Sequence, residues 1–213
     1  MIPLRDSTPS NSFPLVTLTL IIINTWLFYH QVSLGPERMS QLVYTFGLVP
    51  AHVQDNLFGF LPFITSTFLH GSWLHVIGNM WILWLFGDNV EDKMGKGRFL
   101  LFYLICGFLA GLSHYFADPF SQLPVVGASG AVAGIMGAYF LMFKHASVLT
   151  FVPPFFLFNL PAWIYLGIWA LSQLSAGLFQ SGGQVAFWAH IGGFIAGMIL
   201  YRFFLKEPRQ NYY

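Results

Sequence analysis

Six stretches of this chain are long and apolar enough, or nearly so, to cross a lipid bilayer, and nothing else constrains its fold as much. A helix needs about 20 apolar residues to cover about 30 Å of hydrocarbon. The stretches are 14–33, 72–90, 98–117, 129–144, 161–179 and 184–205. Composition agrees. Nine basic and eight acidic side chains among 213 residues make 8% charged, against about 25% in a soluble domain. So few charges cannot cover a water-facing surface, so soluble and disordered classes are excluded. The expected fold is an all-α polytopic membrane protein with six transmembrane helices. A net charge of +1 gives no ground for a nucleic-acid partner. The single cysteine, Cys106, excludes a disulfide framework and a cysteine-based zinc site, and reads as a small core residue.

Charge also sets the expected organisation. Lys and Arg collect on the cytoplasmic side of membrane proteins. With six spans, Arg5, Lys93, Lys96, Arg98, Lys144, Arg202, Lys206 and Arg209 share one side, and Arg38 alone lies on the other. Both termini are therefore expected in the cytoplasm, and spans two, four and six run from outside to inside. Residues 1–13 read as a short N-terminal tail, 14–205 as one membrane domain, and 206–213 as a short C-terminal tail. Asp6 to Ser12 reads as a polar, mobile stretch. Arg5-Asp6 ahead of a long span, with no small-residue cleavage site, lacks the shape of a signal peptide, and no soluble domain is expected. Loop 34–69 has apolar phrases, Leu42-Val43-Tyr44 and Phe58-Gly59-Phe60-Leu61, that suit short helices in the interface. The loop 145–160, with Pro153-Pro154 among aromatics, is expected to lie along the membrane.

Strongly polar side chains at membrane depth mark functional sites by default. Span two opens with Ser72, a good N-cap, and then places His75 and Asn79 four residues apart on one helical face. His70 precedes the cap and belongs to the loop. Span four opens Gly127-Ala128-Ser129-Gly130. From Ser129 to Phe143 it is roughly 22 Å long, too short for the bilayer, so the loop before it must dip inward around water or protein. Ser129 then sits at a helix N-terminus, with free N–H groups beside it. Span six carries His190, roughly 9 Å down if the helix starts near Gln184. Ala189, Gly193 and Gly197 on span six, and Gly130, Gly134 and Gly137 on span four, are small faces of the kind that let membrane helices pack closely. They can bring Ser129 and His190 to one depth.

Serine becomes a nucleophile when a base takes its proton, and neutral histidine is the usual base near pH 7. No Asp or Glu is available at this depth, Asp118 being in the outer loop, so a Ser-His dyad is expected rather than a triad. His75, Asn79 and the Ser129 N–H can donate to a developing oxyanion. Together these are the parts needed for acyl transfer.

At this point the sequence resembles the rhomboid intramembrane serine proteases, in their compact bacterial six-span form, over roughly residues 58–200. The carriers are His70…His75…Asn79, Gly127-Ala128-Ser129-Gly130, and Ala189-His190-Ile191-Gly192-Gly193…Gly197, with Glu91-Asp92-Lys93-Met94-Gly95…Phe99 at the turn between spans two and three. A Gly-x-Ser-Gly alone is a weak signal; three blocks in order on the right spans are a strong one. The resemblance implies a rhomboid-like bundle with a membrane-embedded outer loop. It implies Ser129 as nucleophile, His190 as general base, and His75, Asn79 and Gly127 around the oxyanion. His70 would hold the outer loop, and Gly130, Gly193 and Gly197 would be structural near the site. It further implies cleavage of single-span or other membrane-anchored proteins in or beside the transmembrane segment, with no cofactor and no metal. The expected location is the bacterial cytoplasmic membrane. Span five and the following loop, about 161–186 with Gly177, Gly182 and Gly183, would form the lateral gate. Two departures from the family stand out. Phe60-Leu61-Pro62-Phe63 occupies the place of a Trp-Arg pair. Ala133 stands where some members carry a Tyr under the catalytic histidine, which leaves Trp188 as the aromatic candidate to support His190.

Blander readings compete. A lone membrane serine often bonds back to its own helix, and a lone Asn is often interhelical glue. Glu91 reads as fixing the turn into span three, and His114 as structural or interfacial. His70 and His75, five apart across a cap with no further ligand, do not make a zinc site. At the level of the whole chain the alternatives are a catalytically silent chaperone or adaptor that binds transmembrane helices, and a small-solute channel or transporter. The intact Ser129–His190 set argues against the first, and the lack of paired membrane charges against the second.

Overall fold

The computed structural model describes residues 1–53, 59–179 and 186–206. In chain order it contains β1 (Ile2–Asp6), α1 (Leu15–Ser33), α2 (Pro36–Phe46), α3 (Pro62–Thr65), α4 (Trp73–Met94), α5 (Lys96–Ala117), α6 (Ser129–Met142), β2 (Ser147–Val152), β3 (Phe156–Pro161), α7 (Ala162–Phe179) and α8 (Phe187–Phe204). The protein is an all-α polytopic membrane protein with one small sheet. Among the described residues α1, α5, α7 and α8 are long and apolar enough to cross a bilayer. α4 is long enough, at 22 residues, but its second half carries Asp88, Glu91, Asp92 and Lys93. α6 has only 14 residues.

α6 is the axis of the bundle. Every residue from Gly130 to Tyr139 is buried, as befits a helix that is apolar all round and surrounded by protein. It packs most closely on α8. A methyl group on Gly193 would run into the Gly130 carbonyl, one on Gly197 into the Gly134 carbonyl, and one on Gly137 into the Phe194 carbonyl. Bare backbone on both helices lets them approach to this distance. α5 closes a third side, with Cys106 against Gly134 and Ala110 against Gly130. The outward faces of α1, α7 and α8 expose large apolar side chains such as Trp26, Leu171 and Ile199, which suits contact with lipid.

α1 is held by a charge from another helix. Glu91 on α4 is 1% exposed. Its carboxylate accepts from the Val16 and Thr17 N–H groups (3.0 and 2.8 Å) and from the Thr17 hydroxyl (2.8 Å). An anion at the first turn satisfies otherwise unpaired N–H groups and complements the helix dipole. Glu91 thus acts on the start of α1 rather than on the α4–α5 turn. Sequence distance hid this, because the two partners lie about 75 residues apart.

The N-terminal residues do not form a free tail. β1 pairs antiparallel with β2, Ile2 opposite Phe151 and Asp6 opposite Val148, and β2 pairs with β3. The segment expected to lie flat along the membrane is therefore a β-hairpin that captures the N-terminus. Contacts from α4 and α6 secure it to the bundle. Tyr139 on α6 donates to Asp6 (2.6 Å), and the Trp81 indole on α4 donates to the Pro3 carbonyl (2.7 Å).

At the other end of the bundle, α2, α3 and two single 3-10 turns (Pro50–His52 and Ser66–Phe68) make up the long α1–α4 connection. Its Leu48 pairs through backbone with Val125 in the α5–α6 loop, N···O 3.0 and 2.8 Å. Buried Phe63 anchors α3 among Phe108 and Tyr115 of α5. This connection supports the turn that leads into α6.

Candidate active site

Ser129 is the first residue of α6, and the turn before it is held from two sides. The Gly127 N–H donates to the Ser66 carbonyl (2.9 Å), and the Ala128 N–H points at His70 Nε2 at 3.5 Å. Gly127 has φ 131°, a conformation that L side chains rarely adopt.

His70 lies in the loop before α4 and is fully buried. Its backbone exchanges two hydrogen bonds with the Gln31 amide of α1, both 3.1 Å. Burial, and secondarily the neighbouring His75, push its pKa down to about 3. The ring is therefore neutral at working pH, which lets Nε2 act as an acceptor. His70 ties α1 to the turn at Ser129.

α4 begins at Trp73, with the Ser72 hydroxyl accepting from the His75 N–H at 3.2 Å. This N-cap aims the next two turns at Gly127. A Cβ at Gly127 would lie 2.6 Å from His75 Nε2 and 3.6 Å from Asn79 Nδ2. The missing side chain leaves the space that both groups face. Asn79 is 8% exposed, and among the described residues its Nδ2 has no hydrogen-bond partner. Buried donors rarely go unpaired in native proteins. One left idle beside a serine at a helix N-terminus suits an acceptor that arrives with a ligand.

α8 is described from Phe187, so His190 lies in its first turn; a start near Gln184 falls outside the described residues. His190 Nε2 is 2.8 Å from Ser129 Oγ. On the far side of the ring, His190 Nδ1 is 2.7 Å from Gln173 Oε1. Trp169, also on α7, leans over the imidazole with ring centroids 6.1 Å apart and planes tilted by 35°. Trp188, the aromatic candidate from sequence, packs instead beside Gly177. Ala133 is fully buried one turn below Ser129.

The structure thus brings together Ser129, His190, His75, Asn79 and Gly127, and puts His70 behind the turn. Gly130 and Gly193 face each other directly beneath, and Gly197 lies one turn lower against Gly134. Sequence reasoning missed Trp169 and Gln173. The signal was present, since Gln173 is the single carboxamide in α7 and sits four residues after Trp169, on the same face. Among the described residues, no three His, Cys, Asp or Glu side chains gather as a metal site would require.

Comparison with known proteins gives this geometry a family. The model of the Rhomboid domain matches residues 58–207. The chain is 28% identical over 160 residues to Rhomboid protein 1, mitochondrial, of Saccharomyces cerevisiae, covering 72% of this chain and 44% of that protein. It is 30% identical over 135 residues to the putative rhomboid protease YdcA of Bacillus subtilis, covering 61% and 63%. It is 27% identical over 186 residues to Rhomboid-like protein 11, chloroplastic, of Arabidopsis thaliana, covering 83% and 64%. The chain belongs to the rhomboid family, and it spans roughly half to two thirds of the length of these relatives. It is an integral membrane protein of that family.

Proposed function

We propose that this protein is an intramembrane serine endopeptidase that cleaves membrane-anchored proteins in or beside their transmembrane segment. The observation that carries the reading is the 2.8 Å contact between Ser129 Oγ and His190 Nε2 at a helix N-terminus faced by the Asn79 Nδ2 group, unpaired among the described residues. The name of the Bacillus subtilis relative, putative rhomboid protease YdcA, points the same way.

The chemistry follows from the positions. Ser129 Oγ attacks the scissile carbonyl carbon while its proton passes to His190 Nε2. The carbonyl oxygen takes up the negative charge and is met by His75, Asn79 and the Ser129 N–H. His190 returns the proton to the leaving amide nitrogen, the C–N bond breaks, and the acyl group stays on Ser129. A water molecule then attacks the ester, gives its proton to His190, and releases the acid as the proton returns to Ser129.

Substrates would reach Ser129 laterally past α7. The glycines at 182 and 183 assigned to that gate lie outside the described residues, whereas Gly177 lies in α7. The distribution of Lys and Arg supports both termini in the cytoplasm, with the site near the opposite face and within reach of water. For a bacterial host this is the cytoplasmic membrane.

The test is cleavage of a single-span reporter by purified protein in lipid. Ser129→Ala is expected to abolish cleavage, and His190→Ala to lower kcat by about 10²- to 10⁴-fold, the usual share of a general base. Cleavage that persists in Ser129→Ala removes the assignment. A fluorophosphonate probe that labels Ser129 separates the protease from a silent helix-binding adaptor.

A further inference from the structure

The Ser129–His190 contact works in one direction only. Nε2 must be bare to take the serine proton, so Nδ1 must carry the ring hydrogen. Among the described residues no carboxylate meets Nδ1; its partner is Gln173 Oε1 at 2.7 Å. An amide can present either its oxygen or its NH₂ group, and the wrong end would select the wrong tautomer. What holds the amide in the required sense lies further along α7. The Trp169 carbonyl can only accept, so the Ser172 hydroxyl, 2.6 Å away, must donate to it. The Ser172 oxygen is then free to accept from Gln173 Nε2 at 3.2 Å. That turns Gln173 Oε1 toward His190 Nδ1, which must donate. Nε2 is left bare, facing Ser129 at 2.8 Å. Every link in this chain points the same way, and its sense is set by a backbone carbonyl.

We propose that Gln173 is a positioning residue for His190, acting as a neutral third member behind the Ser-His pair and fixing which ring nitrogen carries the proton. It does so from α7, whose Trp169 also leans over the same ring, so that one face of one helix orients the imidazole twice. His190 is competent as a base only while α7 lies against α8. Movement of α7 away from the site withdraws the acceptor from Nδ1 together with the ring that covers it. The inference rests on the reading of His190 as general base.

The experiment compares Gln173→Met and Gln173→Glu with the wild-type protein, using reporter cleavage in lipid. Met keeps the length and removes the acceptor. Glu keeps an oxygen for Nδ1, and in its neutral form an O–H for Ser172 as well. Gln173→Met is expected to lower kcat about tenfold to a hundredfold with KM nearly unchanged, as for a misplaced catalytic group. Gln173→Glu is expected to recover most of kcat. A residue that merely packs would not show this order, because Met is the gentler change in an apolar setting. Should Gln173→Met fail to fold, Gln173→Asn replaces it, keeping the amide but setting its oxygen one methylene short. Wild-type kcat in the acceptor-removing variant overturns the inference, as does equal loss in Met and Glu. Persistent cleavage in Ser129→Ala overturns the underlying reading instead, whatever Gln173 does.

Discussion

Asn79 separates two kinds of contribution at a single residue. Most buried polar groups in this bundle are spent on the fold, as with the Gln31 amide clasping the His70 backbone. The Asn79 Nδ2 group has no such partner among the described residues. A donor that the resting fold does not use contributes little to stability when removed, yet an oxyanion donor costs about 10²- to 10³-fold in kcat. Asn79→Ala is therefore expected to lose turnover on that scale, with KM and thermal unfolding temperature little changed. A large fall in unfolding temperature, with kcat retained, assigns Asn79 to packing instead. The shared placement of His75 and Asn79 beside Gly127 was legible in the sequence because polar groups i and i+4 at a helix start declare a shared face. The partners of His190 on α7 were not. A helix periodicity says which residues share a face, but not which neighbour that face meets.

At the scale of elements, the bundle relies on two different devices. α6 and α8 meet through bare backbone, a close packing readable from glycines at four-residue spacing. α1 is attached through Glu91, whose single carboxylate serves three donors. Glu91→Ala leaves those donors short of a partner in a buried place, at about 1–3 kcal/mol for an unsatisfied group. A clear fall in the unfolding temperature of the purified protein in detergent is expected, and Glu91→Gln should recover part of it by supplying one acceptor oxygen. Equal stability of Glu91→Ala and wild type contradicts this account. The sheet is the element least visible in sequence. β1 has only five residues, includes Pro3, and pairs with a strand about 145 positions later, so no local pattern announces it.

At the scale of the whole molecule, His70 joins α1, the α1–α4 connection and the turn at Ser129. It therefore links stability to pH. Its folded pKa of about 3 lies below the ordinary histidine value of 6.5, so the unfolded chain binds the proton more readily. Stability from the neutral ring is fully present above about pH 6.5 and declines as pH falls from there toward 3. Thermal unfolding followed from pH 7.5 to pH 4.5 should show that decline, and His70→Gln, which cannot titrate, should flatten it. An identical pH slope in His70→Gln and wild type excludes His70 as the source.

Sequence by itself determined that the chain enters a membrane, where its spans run, and which polar residues stand at helix starts. Those properties are local, because transfer of an apolar run into lipid and capping of a helix depend only on neighbouring residues. Tertiary structure alone decided that Glu91 holds α1, that a strand from the N-terminus joins the β2–β3 hairpin, and that α7 delivers Trp169 and Gln173 to His190. Each of these depends on how a helix is rotated and against what it packs. Side-chain packing between distant segments sets that rotation, and no single stretch of sequence contains it.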